Sequence, residues 1–109
     1  MKITSVIPPG GSVAPLVGQQ YEFLPFNAVV EFAVICAPGD TVEANLASGT
    51  DILMQNAPID EKAATAPIVY PEDYQVVDAV LRGERLGLIL RNTGASPATV
   101  RTVVRVTPQ

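Results

Sequence analysis

The segment NAVVEFAVICAPG, residues 27–39, is apolar in both of its alternating registers. A strand sends successive side chains to opposite faces. One face of this segment therefore carries Ala28, Val30, Phe32, Val34 and Cys36, and the other Val29, Glu31, Ala33, Ile35 and Ala37. The rest of the chain alternates in shorter, more one-sided runs. KITSVI (2–7) sets Ile3, Ser5 and Ile7 against Lys2, Thr4 and Val6. QQYEFLPF (19–26) sets Tyr21 and Phe23 against Glu22, and TVEANLAS (41–48) sets Val42, Ala44 and Leu46 against Glu43 and Asn45. ILMQ and YQVVDAVL follow as further runs. ERLGLILRN places Leu86, Leu88 and Leu90 opposite Gly87, Ile89 and Arg91. ATVRTVVRVT places Val100, Thr102, Val104 and Val106 opposite Arg101, Val103 and Arg105.

Ten prolines and eight glycines cut the 109 residues into pieces of strand length and interrupt any helical period. The turns PPGG, APGD, GTD and NTGASP stand between the runs. About eight strands at roughly 8–12-residue spacing predict an all-β fold, an antiparallel β-sandwich of jelly-roll or other Greek-key topology. The chain is long enough for one domain, 1–109. Residues 56–73 hold no sustained period and predict a long irregular excursion, with a brief helix around DEKAA. A sandwich buries one face of each strand, so the doubly apolar run at 28–37 needs a second cover. The excursion could supply it, or another protein molecule could.

Charge and missing residue types narrow the function. The formal charge is −4, and charged residues make up only 17 % of the chain; a nucleic-acid binder is usually strongly basic. No run approaches the roughly 20 apolar residues of a membrane span, and MKITSVIPPGG lacks the pattern of a signal peptide. With no histidine, the Ser-His-Asp triad, the Cys-His pair and the commonest metal ligand are all missing. Cys36 is the single cysteine and reads as a small buried hydrophobe. The acidic pairs Asp60-Glu61 and Glu72-Asp73 match neither a calcium loop nor a glycosidase arrangement by spacing and read as solvated loop charge. No catalytic residue, metal site or cofactor is expected, and the chain is not expected to be an enzyme. A carbohydrate-binding or adhesion module is the alternative, resting on Tyr70 and Tyr74 beside the acidic PED.

The charges are split along the chain. Residues 1–79 sum to −8 and residues 80–109 to +4, with arginines at 82, 85, 91, 101 and 105. Within one domain this gives a few cross-strand pairs; between copies it lets an arginine strand meet an acidic surface, a role that suits the planar guanidinium. Nucleic acid on the Arg91/Arg101/Arg105 face is the weaker option, because no aromatics are interleaved there.

The stretches IPPGGSVAPLVG, VEANLASGTDILMQ and RNTGASPATVRTVVRVTP, in a short histidine-free all-β chain, resemble small phage and viral virion proteins. These are capsid, cement or decoration subunits built as single β-sandwiches or jelly rolls. The resemblance implies a structural role in a virion made in the host cytoplasm. It also implies self-association or attachment to another capsid protein, and no substrate turnover. Two contacting stripes are expected: Val29, Glu31, Ala33 and Ile35 as one, and Arg101, Val103 and Arg105 as the other.

Overall fold

A computed structural model describes residues 2–19, 22–49, 51–63, 65–70 and 72–109. Among them the regular structure is all strand: β1 (Lys2–Ile7), β2 (Ser12–Val13), β3 (Ala28–Cys36), β4 (Val42–Ser48), β5 (Asp51–Pro58), β6 (Asp60–Glu61), β7 (Val76–Val80), β8 (Leu86–Asn92) and β9 (Ala98–Pro108). They form two sheets. In the five-stranded sheet β3 lies between β9 on one side and β7 and β6 on the other, with β1 outside β9; the four-stranded sheet runs β2-β8-β4-β5. The pairings are antiparallel except the two-residue contact of β6 with β3, which is parallel.

The core lies between the sheets and uses the alternation read above. Val30, Phe32, Val34 and Cys36 from β3 meet Val100 and Val104 from β9, with Val42, Ala44 and Leu46 from β4 and Leu86, Leu88 and Leu90 from β8. Within β7, Asp78 turns one carboxylate oxygen into a buried position with no hydrogen-bond partner among the described residues. It sits opposite Val30. A charge aimed inward is one device that keeps an edge strand from recruiting another chain. Thr102, in the β9 core row, buries its hydroxyl in the same unpaired state.

Three expectations change. Residues 22–26 form no strand: Glu22 accepts the Gly18 N–H at 3.0 Å, and Phe23 makes one isolated bridge with Arg85. Gln20 and Tyr21, which belonged to the same expected strand, lie outside the described residues. β5 runs through ILMQ as far as Pro58, so the excursion begins later than residue 56. Its second half carries an irregularity at Asn56, whose positive φ of 47° is held by reciprocal contacts with Asn45: Asn56 N–H to Asn45 Oδ1 at 3.0 Å and Asn45 Nδ2 to Asn56 Oδ1 at 3.3 Å. No helix forms around DEKAA among the described residues; Asp60 and Glu61 instead pair with Ile35 and Cys36. Ala64 of that stretch lies outside the described residues.

Candidate interaction surfaces

The two predicted stripes lie side by side on one face. On the outer side of the five-stranded sheet Glu31 is opposite Arg105, Ala33 opposite Val103 and Ile35 opposite Arg101. This face is not open in the single chain. Ala33 is 0 %, Ile35 1 % and Glu31 9 % exposed, while Val29, Arg101 and Val103 are half-buried and Arg105 is exposed. The cover comes from the chain itself, in the segment between β6 and β7. Arg101 donates from Nη1 to the Ala66 carbonyl at 2.7 Å and from Nη2 to the Ala63 carbonyl at 3.2 Å. The Arg105 guanidinium lies 4.1 Å from the centre of the Tyr70 ring, a cation–π contact. The Glu31 carboxylate accepts from the Tyr70 hydroxyl and so pushes that phenol's pKa up, against the opposing pull of Arg105. Thus the expectation that a neighbouring molecule covers Glu31, Ala33 and Ile35 is corrected. The excursion folds back and covers them, because both its ends are tied to the same edge of β3.

That edge explains how the roof is anchored. β7 pairs with the first half of β3 and β6 with its last two residues, leaving a gap at Val34. Gln75 closes it. Its backbone N–H donates to the Phe32 carbonyl at 2.9 Å. Its side-chain amide accepts the Val34 N–H at 2.9 Å and donates to the Val34 carbonyl at 2.8 Å, standing in for a missing strand residue. The Lys62 N–H donates to the Cys36 carbonyl at 2.9 Å. Farther out, Lys62 Nζ meets Asp73 Oδ2 at 2.6 Å, and the same oxygen accepts the Val69 N–H at 2.6 Å. These two contacts, Lys62 first, hold the Asp73 carboxyl below its ordinary pKa.

The other predicted residues fall in quieter places. Tyr70 and Tyr74 meet edge to face with ring centres 5.1 Å apart, and Arg105 occupies a face of Tyr70. Each ring is thus contacted by a neighbour, while Tyr70 stays 47 % exposed. Cys36 is buried, and burial, aided by nearby Glu61 and Asp40, pushes its pKa up to about 11; a thiol so placed is a poor nucleophile. No group of three or more acidic or cysteine ligands suited to a metal occurs among the described residues.

The opposite face of the molecule is open. On the outer side of the four-stranded sheet Gly87 is opposite Ala47, which is opposite Ile52 on β5, and Ile89 is opposite Asn45. Together with Ala14 and Val17 from the segment after β2 they line a hollow of about 310 Å³. Its floor is small residues and its walls are large ones: Val17 is 56 %, Ile52 68 % and Ile89 51 % exposed. The charges around it are balanced in sign. Glu43 is opposite Arg91 at one end, and Arg85 pairs with Glu22 at 2.9 Å at the other. Glu22 is held below its usual pKa, first by the Gly18 N–H and then by Arg85. Sequence reasoning missed this surface because it is assembled from four separate segments. The available signal was Gly87 and Ile89 standing in the register of ERLGLILRN that faces away from the leucines.

No protein-family model, no curated protein and no solved structure matches this chain.

Proposed function

We propose that this chain is a non-enzymatic structural subunit that acts by packing against further copies of itself, in the setting of a virus or phage particle. The observation that carries the reading is the open apolar face around Gly87, Ala47, Ile52 and Ile89. Contiguous exposed apolar surface marks an interaction site, and a face with both a hollow and protruding isoleucines fits the self-complementarity that a two-fold interface needs. The outer face of β3 lends no support, since its own chain covers it.

We also infer a jelly roll, and the strand order favours it. Eight strands folded as one long hairpin pair first with eighth, second with seventh, third with sixth and fourth with fifth. Wrapping that hairpin into two sheets gives the orders 1-8-3-6 and 2-7-4-5. Counting β6 and β7 as one strand position, the observed orders β1-β9-β3-β7 and β2-β8-β4-β5 follow the same scheme. Jelly rolls recur in viral capsid proteins, and also in lectins and cupins; this likeness of fold is an analogy.

Gly87 provides the test. A Cβ built there meets nothing within 4 Å, so Gly87→Val fills the hollow while leaving the fold intact. In light scattering over a concentration series the wild-type mass is expected to rise above that of the monomer, at low and high salt alike because the contact is apolar. Gly87→Val is expected to stay monomeric. A wild-type chain that remains monomeric up to concentrations on the order of 1 mM, weaker than almost any specific self-association, would overturn the reading.

A further inference from the structure

We propose a second site: a pocket between the β1/β9 outer face and the roof that binds a small carboxylate bearing a short apolar tail. The hollow measures about 290 Å³ and is lined by Lys2, Thr4, Arg101, Val103, Pro67 and Ile68, together with the flanking residues of β1 and β9. Thr4 is the cross-strand partner of Arg101 and Lys2 of Val103, so the two cations and the hydroxyl project from one side of adjacent strands. Among the described residues, no acidic side chain lines it.

The charges make this pocket unusual for the chain. Acids outnumber bases eleven to seven, yet neither Lys2 nor Arg101 forms an ion pair among the described residues. Arg101 is half-buried, and it donates to the neutral carbonyls of Ala63 and Ala66. Asp73 feels its charge but commits Oδ2 to Lys62 and the Val69 N–H. A partly desolvated cation ordinarily has an anionic partner. The two carbonyls fix the guanidinium in place while leaving three of its five N–H donors for a ligand. A carboxylate fits that planar fork, with Lys2 and Thr4 as further donors. Val103, Pro67 and Ile68 give the tail an apolar wall. The volume is at the small end of ligand sites, which selects a short acid over a nucleotide.

The experiment is an amide-proton NMR titration of the full chain with sodium hexanoate, run beside the uncharged hexanamide. Saturable shifts are expected at Lys2–Thr4, Ile68 and Arg101–Val103, with a Kd on the order of 1–20 mM for a ligand of this size, and no matching response to hexanamide. Lys2→Gln, an exposed change outside the roof contacts, is expected to weaken binding about tenfold. Arg101→Gln also frees the Ala63 and Ala66 carbonyls, so Lys2→Gln is the deciding variant. Three results would overturn the site: no saturable shift by about 100 mM ligand, shifts that saturate elsewhere, or equal binding by hexanamide or by Lys2→Gln.

Discussion

The outer faces of the two sheets both carry apolar side chains, and the molecule deals with them in opposite ways. On the five-stranded sheet Ala33 and Ile35 are sealed by a segment tied down through Gln75, Lys62, Arg101 and Tyr70. On the four-stranded sheet Ile52 and Ile89 are largely exposed beside an open hollow. Sheet position accounts for the difference. β3 is central, and its free edge takes β6 and β7 with the excursion strung between them, so the connecting chain has to cross the outer face. The four-stranded sheet ends at β5, and the chain leaves it at Pro58 to join the other sheet. A doubly apolar strand is therefore a signal of central position and close cover. A modest apolar residue in the polar register of an otherwise one-sided strand is the better sign of an open surface.

The largest effect that would break this contrast concerns packing. Ile35→Ala is expected to lower stability by about 2–4 kcal/mol in urea unfolding, as for other buried isoleucines. Ile89→Ala, in dilute protein, should cost no more than about 1 kcal/mol. Equal costs would mean that the two faces are not differently covered. Next comes the clasp. Gln75→Ala leaves the Val34 N–H and carbonyl without their partners and should cost about 1–3 kcal/mol, with faster hydrogen exchange at Val34. An unchanged exchange rate at Val34 would show that the roof is held some other way.

A smaller effect follows from acid. A carboxyl whose folded pKa is depressed contributes stability that is present above its ordinary value, about 3.9 for Asp, and lost as pH falls through the folded value. Asp73 is such a group. The Val69 amide resonance should therefore move as pH is lowered below about 4, and Asp73→Asn should abolish that movement; a pH-independent Val69 amide would contradict the pairing. The smallest effect lies beneath the roof's own sheet, in the core. Thr102→Val replaces a buried hydroxyl with no partner among the described residues by a methyl of similar shape, and should be neutral or stabilising by up to about 1 kcal/mol. A clear loss of stability would reveal a partner for that hydroxyl.

The all-β character and most of the strands were legible, because alternation and Pro/Gly spacing act locally. The core rows of β3, β4, β8 and β9 follow the written registers residue by residue. The roof was legible only as one of two possible covers. What decides it is the Gln75 amide replacing a strand residue, and a lone glutamine before VVDAV carries no periodic signal. β6 was hidden because two residues, Asp60 and Glu61, cannot display alternation, and a dipeptide of acids suggests solvent. The 22–26 segment failed for the converse reason. Its alternation was present, but Pro25 and the Glu22–Gly18 contact turn it into a loop. The hollow at Gly87 was out of reach because its walls come from the segment after β2 and from β4, β5 and β8, and no local pattern brings these together.

Hydrogen exchange measured at low and high protein concentration tests the central claim on both faces at once. Amides around Gly87, Ile89 and Ala47 are expected to become more protected as concentration rises, while those of Ala33 and Ile35 stay equally protected throughout. Protection that instead grows with concentration at Ala33 and Ile35, and stays constant around Gly87, would contradict the account.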